Sequence, residues 1–339
     1  MTGPRAMALA ALLAVAMPQG AQAQQGARLW TTAYTSTGAC RSFSRARGPE
    51  AVSQAVTGYA YPHPKGSAAE FIEHTAAHLN AAAVGRADDA ALKARLLAAA
   101  RGKALTRPDF GAPGGSSPTF VSAVVAINVG YAVSYLRSRN ALSAAELKEI
   151  ADWVATLSRN GGQRAGSRDH KMIVALQPLI WAAAIGDTAG VRKAAGRVAG
   201  QFGQFSGSGA FAPDLRNNNE VIQHAVHAAL IARLNGFDLL NVKRGKYTLN
   251  DVVRLHAAAV QANGSKAVRT SGDAQEQARS IFRKQGWGTH LAWIPAYMLI
   301  GDEAGRAAVR ALDRALARVD GKPYWGMQMG VHSGCLYGR

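Results

Sequence analysis

Two short segments place polar residues at the start of otherwise apolar stretches. Residues 167–171 read Ser-Arg-Asp-His-Lys and precede the apolar stretch 172–184. Residues 214–220 read Asp-Leu-Arg-Asn-Asn-Asn-Glu and precede the stretch 221–234. The start of a helix carries unpaired N–H groups and the positive end of the helix dipole. If both segments begin helices, each one can bind an anionic group.

The second segment combines a cation, amide donors and histidines. Three asparagines follow Arg216 directly, and they are Asn217, Asn218 and Asn219. Arginine and amide groups neutralise a carboxylate and bond it in fixed directions. His224 and His227 lie further along the same predicted helix and share one of its faces. A neutral imidazole at either position can accept a proton.

These residue types suit the removal of a proton next to a carboxylate. When a uronic acid polymer is cleaved by β-elimination, the weakly acidic C5 proton leaves after the carboxylate is neutralised. Arginine and asparagine can stabilise the developing charge, histidine can act as base, and a second group must protonate the departing O4. This scheme needs no cofactor and no metal. The pattern therefore favours a polyuronate lyase.

Each of these residues also has a structural interpretation. The asparagines can cap a helix, Arg216 can be a surface charge, and the two histidines can be satisfied core residues. His224 and His227 are also spaced for a metal, but no third ligand lies near them in the sequence. Asp214 and Glu220 are the carboxyl groups that a glycoside hydrolase on the same scaffold would use.

Charge indicates the class of partner. The chain has 39 Lys and Arg against 21 Asp and Glu, a formal net charge of +18. Such a field concentrates polyanions near the protein. Nucleic acid is not expected, because the chain carries an export signal and no nucleic-acid-binding motif. An anionic polysaccharide fits both the charge and the compartment.

The export signal lies at the N-terminus. Arg5, the apolar run 7–17 and the Ala-Gln-Ala sequence ending at residue 23 predict a signal peptide over 1–23 and a periplasmic or secreted protein. No later stretch is read as a membrane span, so no membrane contact is expected after the signal is removed. In an oxidising compartment Cys40 and Cys335 can form a disulfide between the two ends of the chain, or stay unpaired.

Helix signals dominate the mature chain, and strand patterns are sparse. Helices are predicted over 67–83, 88–101, 119–137, 143–159, 170–185 and 221–234. Gly-Asp pairs at 186–187 and 301–302, with a looser copy at 236–238, separate helical segments. Such joints are typical of antiparallel helical hairpins. We expect an all-α protein, an incomplete α/α toroid formed by a single domain over 24–339; an open solenoid is the alternative.

Taken together, the two segments resemble the α/α-toroid alginate lyases of polysaccharide lyase family 5 and their neighbours that act on polyglucuronate. In that family an Asn-Asn-His motif opens one helix, and an arginine leads a later helix that carries a tyrosine and a histidine. The likeness covers residues 119–300, and it is specific at the two helix starts. It implies His170 and Arg216 as catalytic residues. It also implies an alginate, especially mannuronate-block, or glucuronan substrate.

The sequence departs from this family at two positions. Asp169 stands where the family has asparagine, and an ionised Asp169 repels a uronate unless it is turned away or protonated. Gln223 stands near the family's catalytic tyrosine, and His224 beside it can take over that function. In a second register, Asn217–Asn219 matches the Asn-Asn-His motif, and Asn218 is the carboxylate neutraliser. These departures also allow a non-catalytic polysaccharide-binding protein.

Further candidates for substrate binding lie outside the two segments. Tyr59, Tyr61 and Lys65 can form an entrance loop over the substrate, and a proline-rich surface loop is the alternative. Trp287 and Tyr297 resemble the family's late aromatic helix. We also assign His227 and the three asparagines to substrate binding. The general acid, the choice of endo or exo cleavage and the oligomeric state stay open.

Overall fold

The structure is a computed structural model. It describes residues 28–31, 40, 52–57, 67–111, 117–205, 215–243, 245–261, 291–317 and 325–337. For residues 215–217, 315–317, 325 and 327 it describes the backbone alone. The signal peptide lies outside the described residues and stays a prediction, as does the assignment of 24–339 to one domain.

Helices form most of the described chain. They are α1 (Ser67–Ala83), α2 (Asp89–Arg101), α3 (Pro118–Ser138), α4 (Ala144–Gly162), α5 (Arg168–Ile185), α6 (Thr188–Gln201), α7 (Leu215–Leu234), α8 (Leu249–Gln261), α9 (Trp293–Ile300), α10 (Glu303–Ala317) and α11 (Ser333–Tyr337). Short 3-10 turns lie at Phe202–Phe205 and Met327–Met329. Two-residue strands pair as β1 (Ala55–Val56) with β2 (Arg107–Pro108), in parallel, and β3 (Trp325–Gly326) with β4 (Val331–His332), antiparallel.

Inner and outer helices alternate along the chain. The inner row is α1, α3, α5, α7 and α9, and each inner helix packs against the next. The outer helices α4, α6 and α8 pack on α3, α5 and α7, while α10 packs on α8 and α9. The inner helix α3 is buried from Pro118 to Leu136, whereas the outer helix α4 buries one face. This alternation confirms the predicted all-α toroid of antiparallel hairpins.

Local signals set the helix boundaries as the sequence predicts. Ser143 and Glu146 form a reciprocal capping box at the start of α4. Asp187 caps α6 by accepting the Gly190 N–H, and Gly186 ends α5 in the left-handed region at φ +80°. The second joint differs, because Gly301 is extended; there a Cβ would strike the ring of Tyr297.

The C-terminal segment 325–337 closes the row of inner helices. It packs against α1 and α3 at one end of the row and α9 at the other. Within it, the Gly330 carbonyl accepts a hydrogen bond from the buried side chain of Asn128 on α3. Gly330 has φ +62°, and a Cβ there would collide with Asn128, so both the turn and the close approach require glycine. Cys335 is disulfide-bonded to Cys40, with 4.6 Å between the Cα atoms, which confirms the bridged alternative.

One helix corrects the sequence interpretation of membrane spans. Pro118–Ser138 is long and apolar enough to cross a bilayer, and it is the one such helix in the part of the chain that the structure describes. Its apolar window is completely buried inside the protein. Its apolar character is explained by the helices that surround it on the inner row.

Candidate active site

The starts of α5 and α7 meet in space. The Arg168 guanidinium on α5 donates to the Asn218 side-chain oxygen on α7, at 3.3 Å, and to the Gln204 carbonyl, also at 3.3 Å. Asp169, the next residue on α5, lies close enough to Glu220 on α7 for Glu220 to contribute to lowering the pKa of the Asp169 carboxyl. The two polar segments therefore form one cluster, although about fifty residues separate them in the chain.

His170 is held in a fixed orientation at the first turn of α5. Its Nε2 lies 2.8 Å from the Gly161 carbonyl at the end of α4, and a carbonyl can only accept, so Nε2 carries the proton. The other nitrogen, Nδ1, is then the basic one. Burial lowers the pKa of His170, against the opposing effects of the Gly161 bond and of Asp169, so the ring is neutral near pH 7.

His224 packs against the same aromatic ring as His170. The Phe120 ring centroid is 5.6 Å from that of His170 and 6.4 Å from that of His224. His224 is fully buried, and burial lowers its pKa to about 3 although Asp169 opposes this. The Gln328 backbone lies close enough to act on that pKa, yet neither ring nitrogen has a well-formed hydrogen bond within the described residues.

Neighbouring protein groups stabilise the carboxylate of Asp169. Burial alone raises its pKa, but hydrogen bonds from the Ser167 side chain, from Glu220 and from the His170 backbone N–H lower it overall. The carboxylate also sits in the first turn of α5, where the helix dipole favours negative charge. Asp169 is therefore ionised, with its bonds directed toward the protein.

The asparagines face different ways. Asn218 contacts Arg168, as described above. The side-chain oxygen of Asn219 accepts hydrogen bonds from His256 Nε2, at 2.7 Å, and from Trp293 Nε1, at 3.2 Å. Asn219 thus joins α7 to α8 and α9, and Asn218 is the asparagine directed toward the cluster at the helix starts. For Asn217 and Arg216, the backbone lies in the first turn of α7, and their side chains are outside the described residues.

His227 and Tyr297 lie in structural contacts. His227 is fully buried, with Nδ1 2.8 Å from the Gln223 carbonyl and Nε2 3.1 Å from the Ser333 hydroxyl. The Tyr297 hydroxyl donates to the Asn250 side-chain oxygen at 2.8 Å. The contacts described for these two residues connect α7 to the C-terminal segment and α9 to α8, not to His170. Their predicted roles in substrate binding stay predictions, as do those of Tyr59, Tyr61, Lys65 and Trp287, which lie outside the described residues.

Several members of the cluster were not singled out for this role from the sequence. Arg168 and Glu220 had a usable signal, since each stands at a polar helix start. Phe120 and Gln328 had none, because an apolar helix residue and a residue near the C-terminus reveal their neighbours only after folding. In the described ranges, no three His, Cys, Asp or Glu side chains are grouped so that they could hold an ion.

Comparison with known proteins identifies the fold of this chain through solved structures. No protein-family model and no curated sequence matches the chain. Among solved structures, alginate lyase A1-III from Sphingomonas species A1 superposes with a TM-score of 0.61 at 15% identity, over 90% of this chain and 95% of that one. The chain has the fold of alginate lyase A1-III. A histidine-to-alanine variant of that lyase complexed with tetrasaccharide gives a TM-score of 0.62 at 15% identity, over 92% and 96% of the two chains.

A third structure is a tyrosine-to-phenylalanine variant of alginate lyase A1-III, also complexed with tetrasaccharide. It matches with a TM-score of 0.61 at 15% identity, over 92% of this chain and 96% of that one. The expected resemblance to an alginate lyase-type toroid is thus confirmed at the level of fold. At this identity the likeness does not extend to individual side chains.

Proposed function

We propose that this protein is a polysaccharide lyase that cleaves a polyuronate by β-elimination. The observation that carries the proposal is the orientation of His170 in the same helix turn as Arg168. Its Nε2–H is committed to the Gly161 carbonyl, which leaves Nδ1 as the basic nitrogen, and Arg168, two residues earlier, contacts Asn218. A base, a guanidinium and an amide are the groups that proton removal next to a carboxylate requires.

The cationic groups neutralise the uronate carboxylate in this proposal. Arg168 and Asn218 are already in contact, and Arg216 lies in the first turn of α7, one turn or less from Asn218. Neutralising the carboxylate stabilises the negative charge that develops when the C5 proton leaves. Asp169 does not oppose this strongly, since its bonds are directed toward Ser167, Glu220 and the backbone of His170.

We assign the base to His170 and not to His224. Both rings are neutral near pH 7, because burial lowers both pKa values. His224 is 0% exposed, whereas His170 keeps 4% exposure and has a hydrogen bond that fixes its basic nitrogen. We expect His224 to tune the site and His170 to touch the substrate.

Alginate, in particular its mannuronate blocks, and glucuronan are the substrates we propose. The net charge of +18 favours capture of a polyanion. The alginate lyases of the same fold are seen with a bound tetrasaccharide, which supports an oligosaccharide cleft at the corresponding place. Export to the periplasm or beyond, expected from the signal sequence, would bring the enzyme to such polymers.

Product analysis tests the proposal. Purified protein is incubated separately with polymannuronate, polyguluronate and glucuronan, and the ultraviolet absorbance of a 4,5-unsaturated uronide is followed. We expect a rise on at least one polymer, with a new double bond seen by mass spectrometry as a product free of added water. No rise on any polyuronate, with the protein folded by circular dichroism, contradicts the proposal.

A non-catalytic polysaccharide-binding protein is the second candidate, and Asp169 and Gln223 favour it because they replace the asparagine and tyrosine that the resemblance implies. Tight polymer binding without product is the result that would support it. Hydrolysis has less support. Of the two carboxyl groups that a glycoside hydrolase would use, Glu220 lies in the second turn of α7 and Asp214 lies outside the described residues, so no carboxyl pair across a cleft supports hydrolysis within the described residues. Uptake of heavy oxygen from labelled water would reveal it.

A further inference from the structure

An aromatic side chain and an arginine are stacked at the protein surface, outside the cluster described above. The Arg164 guanidinium carbon lies 4.2 Å from the centroid of the Phe110 ring. Phe110 is 47% exposed, the highest value among the large apolar side chains in the described ranges. Arg164 is exposed as well, and it forms no ion pair with a described residue. This Phe110–Arg164 stack therefore presents an open aromatic surface beside an uncompensated positive charge.

Two anchored loops carry the stack. Phe110 follows β2, where the Thr106 carbonyl accepts a hydrogen bond of 2.7 Å from the Asn160 side chain on α4. Arg164 lies between α4 and α5, in a turn that the Gly166 N–H closes on the Arg164 carbonyl at 2.8 Å. The backbone of Arg164 has φ +55°, a left-handed conformation that is unfavourable for arginine and that the surrounding turn must maintain. These contacts hold the two side chains in place before a ligand binds, which lowers the entropic cost of binding.

The stack lies on the same side of the fold as the candidate base. Asn160, which anchors the loop of Phe110, immediately precedes Gly161, whose carbonyl lies 2.8 Å from His170 Nε2. Arg164 precedes His170 by six residues, so their Cα atoms are at most about 22 Å apart. A polymer chain that is bound at His170 can therefore extend over the stack.

A uronate residue matches the chemistry of the two side chains. Its pyranose ring has C–H groups on a face and a carboxylate at an edge. The C–H face buries apolar surface when it packs on an aromatic ring. A guanidinium that is stacked on an aromatic ring keeps its edge free to donate two parallel hydrogen bonds to a carboxylate. A neutral sugar would use the ring alone, and a free phosphate would use the arginine alone.

We propose that Phe110 and Arg164 form a distal subsite that binds one uronate residue of the polymer away from the bond that is cleaved. The inference rests on the proposed lyase function, and it explains how the enzyme would select long chains over short fragments. A contact remote from the reacting atoms stabilises the bound substrate and the transition state equally. Such uniform binding lowers KM and leaves kcat unchanged.

A second Arg–Phe stack in the protein provides a matched control. The Arg192 guanidinium carbon lies 5.5 Å from the centroid of the Phe237 ring. Phe237 follows the end of α7, and Arg192 lies on α6 near the end of α5, a helix of 18 residues and hence about 27 Å long. Arg192→Gln and Arg164→Gln remove the same charge, so both weaken the general attraction for a polyanion equally. The difference between the two variants measures the subsite.

Kinetics on oligomers of different length tests the subsite. The substrates are octamannuronate and the shortest mannuronate oligomer that the wild type cleaves. Arg164→Gln and Phe110→Ala should each raise KM for the octamer about fivefold, as expected for an exposed contact, and leave kcat unchanged. Neither should change KM for the short oligomer. Arg192→Gln, and Leu255→Ala as the control for an exposed apolar side chain, should leave both KM values unchanged.

Calorimetric titration with octamannuronate adds a measurement that needs no turnover. In the His170→Gln background, Arg164→Gln and Phe110→Ala should each raise Kd about fivefold relative to Arg192→Gln. Combining the two should raise it by less than the product of the single effects, since both side chains contact one sugar.

The outcomes separate the subsite from the lyase function. The subsite is overturned if either variant binds and cleaves the octamer like its control, and formation of unsaturated uronide by the wild type then leaves the lyase function standing. Octamer binding that depends on both side chains, without that product from the wild type, overturns the lyase function and keeps the subsite. An octamer that does not bind the protein overturns both.

Discussion

Replacing His170 tests whether its fixed ring is a base or a structural cap. Both interpretations predict that His170→Ala lowers activity and stability, because the Gly161 carbonyl loses its donor at 2.8 Å. Loss of a buried partner costs about 1–3 kcal/mol, and the space left beside Phe120 adds to it. His170→Gln discriminates between them, because its amide can donate to the same carbonyl but cannot accept a proton from carbon.

The expected magnitudes follow from those contacts. A positioned general base contributes roughly 100- to 10,000-fold in rate, so kcat on polyuronate should fall by at least about 100-fold in both variants. The glutamine variant should lose less than about 1.5 kcal/mol of stability, the value of one ordinary hydrogen bond. The alanine variant should lose more and melt at a lower temperature.

The assay pairs initial rates of absorbance increase with thermal melting followed by circular dichroism. Lys171→Gln is the control, since Lys171 is the next residue on α5 and is exposed. It should change neither quantity by much. A glutamine variant that retains the wild-type kcat within about threefold would refute the assignment of His170 as base and leave it a structural cap.

Three other predictions follow. Arg168→Lys should raise KM for the polymer and leave the melting temperature nearly unchanged, because lysine keeps the charge but loses the forked geometry that reaches Asn218. An unchanged KM in steady-state kinetics would contradict this. Below pH 6.5 the protein should become less stable, since burial lowers the folded pKa of His224 to about 3 and of His227 to about 4, so the unfolded chain binds more protons. The loss at pH 5 is about 2 kcal/mol per histidine, and a melting temperature that is flat from pH 7 to pH 5 would refute it. Cys335→Ser opens a loop that spans 295 residues to Cys40 and should cost up to about 5 kcal/mol, measured by urea unfolding against the oxidised wild type; equal midpoints would contradict it.

Local rules were enough to predict the helices from the sequence. Ser67–Ala83 has the predicted bounds, and the box of Ser143 and Glu146 sits where the spacing indicates. These features depend on neighbours within one helical turn, which the sequence displays directly. Gly301 shows the limit of such rules. It ends a helix as predicted, but in an extended conformation, because the reason for glycine there is the ring of Tyr297.

The site was predictable in position and less so in its partners. Polar residues at two helix starts indicated where the chemistry lies, since a helix start favours anions whatever the rest of the fold does. The choice among the asparagines was not predictable. Asn218 and Asn219 are adjacent in sequence, but a helix turns about a hundred degrees between them, so one faces Arg168 and the other His256. The proximity of Asp169 to Glu220 likewise depends on how α5 and α7 pack.

The charge of the site connects the departures from the family to its function. Arg168 and Arg216 contribute two positive charges at the helix starts, and ionised Asp169 contributes one negative charge. His170 and His224 are neutral near pH 7, because burial lowers both pKa values. The two arginine charges exceed the single charge of Asp169, so the replacement of asparagine by Asp169 does not by itself abolish the attraction of these helix starts for a uronate.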